Sequence, residues 1–67
     1  MIWLTVNGKS HEMPEGSTVA ALLLQLGVDA TRVAIERNQD VVPRRSYDSA
    51  VLRDGDKIEV VTFVGGG

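Results

Sequence analysis

Within the first 26 residues of the chain the apolar residues change period once, and that change limits the fold more than any other feature. Ile2, Leu4 and Val6 recur at every second position, with Trp3 and Thr5 between them, as the two faces of a β-strand. Val19, Leu22, Leu23 and Leu26 recur instead at i, i+3, i+4 and i+7, which is the apolar stripe of an α-helix. Thr18, or Ser17, is placed to accept backbone N–H bonds at the start of that helix, and Gly27 suits the left-handed position just past its end. One short helix must therefore find strands to cover its stripe.

The strands are legible around it. Asn7-Gly8 inside "IWLTVNGKSHEM" is a hairpin signal, because both residues accept the positive φ that a tight turn needs. "RVAIERN" reads as a strand that runs into a turn at Asn38-Gln39, and "DVVP" as a short edge strand, since Pro43 has no N–H for a ladder. "RRSYDSAVL" has no period and is expected to be an irregular connection with one short helical turn. "RDGDKIEVVTFV" brings an Asp54-Gly55 turn and a final strand, in which Ile58, Val60 and Val64 alternate with Glu59, Val61 and Phe63. The class is α+β, a mixed sheet packed on one main helix. If the first and last strands lie parallel in the centre, the helix supplies the crossover between them, giving the β-grasp or ubiquitin-like arrangement. Residues 1–64 form that domain, and Gly65, Gly66 and Gly67 form a flexible tail.

At 67 residues the chain has one core, and it carries no cysteine for disulfides, thiolate metal sites or a thiol nucleophile. A net charge of -2 leaves no basic footprint for nucleic acid, and no apolar run approaches the roughly 20 residues of a membrane span. The expectation is a cytoplasmic protein, monomeric when free, whose partners are proteins. His11 stands alone as a surface histidine, and Asp54 and Asp56 flank a turn glycine, where turn geometry and solvation explain them. No ligand spacing for a metal is present, and Ser17, Ser46 and Ser49 have no base beside them, so the chain is not expected to be an enzyme. The glycines are no phosphate loop either, since no helix N-terminus follows them. What remains chemically distinctive in "FVGGG" is the α-carboxylate of Gly67, which no side chain shields.

The succession "VNG", "STVAALLLQL", "VAIERN", "VVPR" and "DGDKIEVVTFVGGG" resembles the ThiS family of sulfur carrier proteins of thiamine (thiazole) biosynthesis over essentially the whole chain. Val42-Pro43-Arg44, Asp54-Gly55-Asp56 and Gly66-Gly67 carry the resemblance most strongly. Tyr47 stands where such proteins commonly have an aromatic residue, and Gly65 is one glycine more than the diglycine requires. The resemblance implies no bound cofactor. It implies that an E1-like adenylyltransferase spends ATP, with Mg²⁺, to turn the Gly67 carboxylate into an acyl adenylate. A persulfide on a sulfur-donor enzyme then converts it to a thiocarboxylate, and thiazole synthase receives the sulfur.

Three extended glycines reach roughly 10 Å, enough to carry a carboxylate into a buried site while the body stays outside. Ordering them costs about 1–2 kcal/mol each, which docking of the body must offset. Trp3, Val61 and Phe63, on the outward faces of the first and last strands, are the candidate docking residues. Arg44 and Arg45 are expected to be solvated. Three other readings share the sequence pattern: the small subunit of a molybdopterin synthase, a ubiquitin-like modifier, and a β-grasp interaction module that carries no sulfur.

Overall fold

The computed structural model describes residues 1–63, so Val64, Gly65, Gly66 and Gly67 lie outside the described residues. Strands β1 (Ile2–Val6) and β2 (Lys9–Met13) form the expected hairpin, followed by helix α1 (Val19–Leu26), β3 (Val33–Arg37), β4 (Asp40–Val42) and β5 (Lys57–Thr62). The five strands make one sheet in the order β2-β1-β5-β3-β4. β1 and β5 are parallel, and every other neighbouring pair is antiparallel. The central parallel pair has α1 in the chain between its strands, which is the β-grasp arrangement.

Local chemistry fixes each boundary. Asn7 and Gly8 have φ of 49° and 81°, so the β1–β2 turn uses the two residue types that tolerate the left-handed region best. At the head of α1 the Thr18 hydroxyl accepts from the Ala21 amide at 3.2 Å. At its end Gly27, with φ 72°, donates to the Leu24 carbonyl while Val28 donates to Leu23, which satisfies carbonyls that the helix leaves open. The stripe of α1 lies on Ile2, Leu4, Val6, Met13, Val33, Ile35 and Ile58, all buried. Val19, Leu22 and Leu23 are buried as expected, and Leu26 is half-buried.

The segment without a period contributes more than a connection. It does hold one 3₁₀ turn, Arg44–Ser46, but Tyr47 and Leu52 beyond it are core residues. The reason lies at the helix N-terminus, whose first amides have no intrahelical acceptor. Val19 N–H donates to Ala50 C=O at 3.0 Å and Ala20 N–H to Tyr47 C=O at 2.9 Å, while Leu52 N–H donates to Ser17 C=O at 2.8 Å. The loop caps the helix with its backbone, and that hold directs two large side chains inward. The Tyr47 hydroxyl ends 3.5 Å from the Val33 carbonyl, at the limit of hydrogen-bonding distance.

Asp56 corrects an expectation. It is buried, with 7% of its surface exposed, rather than solvated in a turn. Its carboxylate accepts from Arg37 Nε at 2.8 Å, Asn38 Nδ2 at 3.0 Å and the Arg53 amide at 2.9 Å. Burial, the largest single influence, pushes its pKa up, yet the Arg53 amide, Asn38 and the Arg37 charge together hold it below the usual carboxylate value. Asp56 thus ties the end of β3 to the start of β5. Asp54 keeps a turn role of a definite kind, since its Oδ1 accepts from the Trp3 amide at 2.7 Å and Gly55 N–H donates to the Trp3 carbonyl. Arg44 is exposed but not free, because its guanidinium donates to the Thr31 carbonyl at 3.1 Å.

Candidate functional site

β5 lies in the middle of the sheet, and the chain leaves it toward the glycines. On one side the pairing with β3 continues to the last described residue, Phe63, whose N–H donates to Arg32 C=O at 2.8 Å. On the other side β1 ends at Val6, opposite Ile58, and the side chain of Asn7 continues its work. Asn7 Oδ1 accepts from the Val60 amide at 2.7 Å and Asn7 Nδ2 donates to the Val60 carbonyl at 3.1 Å. β5 is therefore held on both edges as far as Val60, three residues before Phe63.

The alternation along β5 is settled by Ile58, which is wholly buried under α1. Glu59, Val61 and Phe63 consequently share the opposite, open face of the sheet. Val61 and Phe63 are each 53% exposed, and Trp3, on the same face of β1, is 56% exposed. The structure does not bring all three together. Thr5 pairs with Lys57 in the parallel register, so Trp3 lies level with Gly55, six positions from Val61 and roughly 20 Å along the strand direction. Beside Val61 lies Ala34, its partner on β3. Val41 on β4, opposite Glu36, adds a side chain that is 70% exposed. Val41, Ala34, Val61 and Phe63 form an apolar diagonal that runs to the root of the glycine tail.

Glu36 and Glu59, which face each other on this surface, and Val41 beside them were not singled out by the sequence reading. The alternation of Ala34 and Glu36 with the buried Val33 and Ile35 was available, but the register that sets Glu36 against Glu59 was not. Gly65, Gly66 and Gly67 lie outside the described residues, so their geometry plays no part in this surface. Among the described residues no group of three or more His, Cys, Asp or Glu side chains gathers to hold a metal ion. His11 lies on the helix side of β2, half-buried opposite Leu4, at the edge of a cleft lined by Val6, Leu26, Val28 and Val60. No described helix is long and apolar enough to cross a membrane.

A model of the ThiS family matches residues 4–67, from β1 through the three glycines. The chain belongs to the ThiS family. Its likeness to the crystal structure of a thiamine biosynthesis protein (ThiS) from Geobacter metallireducens has a TM-score of 0.84 at 39% identity, covering 98% of this chain and 100% of that one. The sulfur carrier protein ThiS of Thermus thermophilus is 36% identical over 67 residues, the full length of both chains. A thiazole synthase of Paramagnetospirillum magneticum is 48% identical over 64 residues, which are 96% of this chain and 20% of that protein. The chain spans about a fifth of the length of the thiazole synthases that it matches. As a ThiS-family chain it has the fold of a small ubiquitin-like sulfur carrier of thiamine biosynthesis.

Proposed function

We propose that this chain carries sulfur on Gly67 and delivers it for thiazole formation. The observation that supports this reading most directly is the family match running through residue 67, so that the glycines belong to the shared pattern and are not an appendage to it. The chemistry requires activation, because a carboxylate delocalises its charge and has oxide as its leaving group. An adenylating enzyme, with ATP and Mg²⁺, joins the Gly67 carboxylate to the α-phosphate and releases pyrophosphate. The terminal sulfur of a donor persulfide attacks the acyl carbon and AMP departs. A thiol then cleaves the S–S bond of that adduct, leaving the thiocarboxylate on Gly67 and a disulfide on the donor side.

The acceptor in this reading is thiazole synthase. Two relatives bear that name, and a domain like this one makes up about a fifth of each. The chain itself supplies no catalytic group; it supplies a reach of three glycines from the centre of a rigid sheet, and a face for partners to hold. Incubation with the cognate adenylating enzyme, ATP and a sulfur donor should replace one oxygen of Gly67 by sulfur, read as the mass change of the C-terminal peptide. An unchanged mass with an active partner would overturn the carrier reading.

A further inference from the structure

The open face is organised as rungs across β3 and β5. Nearest the tail are Arg32 and Phe63, next Ala34 and Val61, next Glu36 and Glu59, and beyond them Lys57, between Thr5 and Asn38. Glu36 and Glu59 are register partners on antiparallel strands, so their Cβ atoms stand about 4.5–5.5 Å apart on one face, and like charges so placed destabilise a sheet. The ion pairs among the described residues are Arg32 with Asp29 and Arg37 with Asp56, and neither glutamate takes part in one. Lys57, the nearest cation along β5, is not within ion-pair distance of either. Both glutamates are half-buried between Val41 and Val61, so the repulsion is less screened than at an open tip.

We infer that Glu36 and Glu59 together form a seat for a guanidinium of thiazole synthase, flanked by Val41 on the β4 side and by Ala34 and Val61 on the side toward the tail. The planar fork of an arginine offers donors to two neighbouring carboxylates in one fixed geometry, whereas an ammonium offers three donors from a single point, and the apolar neighbours reduce the water that competes for the bonds. The same charges reject other occupants. Two copies of this chain meeting face to face about a twofold axis would bring four carboxylates together, although the apolar diagonal alone would favour that contact. Nucleic acid is repelled for the same reason. The inference rests on the carrier reading, and it names what the acceptor must present to the sheet.

The test is calorimetric titration of the cognate thiazole synthase with the wild-type chain, the E36Q/E59Q double variant and the Phe63→Ala variant, at low and high salt, with a melting curve for each. The double variant should bind about tenfold or more weakly at low salt, lose most of the salt dependence, and melt no lower than the wild type. Undiminished binding of E36Q/E59Q at low salt overturns the guanidinium seat. If Phe63→Ala is weakened in that case, the open face still docks and the carrier reading stands. Absence of binding by the wild type itself overturns the carrier–synthase reading, and the seat with it.

Discussion

The side-chain amide of Asn7 closes two hydrogen bonds on the backbone of Val60, taking its N–H at 2.7 Å and giving to its C=O at 3.1 Å. The residue that makes the β1–β2 turn possible therefore also finishes the parallel ladder that the turn interrupts. Its left-handed φ of 49° and its amide are both in use.

The two roles separate by substitution. Asn7→Gly keeps the turn, since glycine accepts positive φ, but removes both bonds; we predict a loss of about 1–2 kcal/mol of stability. Asn7→Ala should cost more, because it loses the bonds and strains the turn. Urea unfolding of both variants gives the comparison. If Asn7→Gly is as stable as the wild type, the amide is not holding β5.

Asp56 gives a pH dependence with a definite sign. Its folded pKa is below the ordinary value of 3.8, so its contribution is complete above that value and is lost as pH falls through the lower, folded value. We predict that Asp56→Asn is less stable by about 3 kcal/mol near neutral pH, since it leaves Arg37 partly buried without its counter-charge. The gap between variant and wild type should narrow below pH 3.8. A gap that stays constant through that range would show that the Arg37–Asp56 charge pair is not what the substitution removes.

The β3–β4 turn carries a residue in an unfavoured conformation. Asn38 and Gln39 have φ of 51° and 74°, a pattern for which Asn-Gly is the preferred pair, and Gln39 is exposed and makes no side-chain bond that explains it. Gln39→Gly removes a left-handed cost of roughly 1–2 kcal/mol and adds glycine's extra unfolded-state entropy of roughly 0.5–1 kcal/mol. The expected net is a gain of about 0.5 kcal/mol and a rise in Tm of about 3 °C. A lower Tm would mean that the Gln39 side chain contributes a contact that outweighs the relief.

These cases show which parts of the molecule the sequence discloses. Periods of two and 3.6 residues disclosed β1, α1, β3 and β5, because apolar side chains there alternate against a shared core. Asn7-Gly8, Thr18 and Gly27 disclosed boundaries, because positive φ at a turn and capping at a helix end are local to the residues that supply them. Tyr47 and Leu52 were hidden as core residues, since their orientation follows from carbonyls that cap α1 and not from any period. Asp56 read as a turn acid for a similar reason: its partners Arg37 and Asn38 lie 18 or more residues away, on another strand. The outward faces of Trp3, Val61 and Phe63 were legible from alternation. Their spacing was not, because a parallel register places Trp3 beside Gly55 and not beside Val61.

That spacing bears on the last prediction. In the proposed cycle the adenylating enzyme and thiazole synthase both need Gly67, so both must hold the carrier near the tail root and cannot do so together. Phe63 is the exposed aromatic at that root, and Val61 lies two residues before it on the same face. Truncating such an anchor at the centre of an interface typically costs about 2 kcal/mol or more. Phe63→Ala should therefore weaken binding to both enzymes, with little change in Tm because Phe63 is 53% exposed and lies on the face opposite the core. Trp3→Ala should weaken binding less, since Trp3 lies roughly 20 Å from Val61 and falls at the rim of a footprint centred on the tail. Titration of each enzyme with the two variants, followed by competition of one enzyme against the other for the wild-type chain, decides the matter. Simultaneous binding of both enzymes, or a larger loss from Trp3→Ala than from Phe63→Ala, would move the docking centre away from the end of β5.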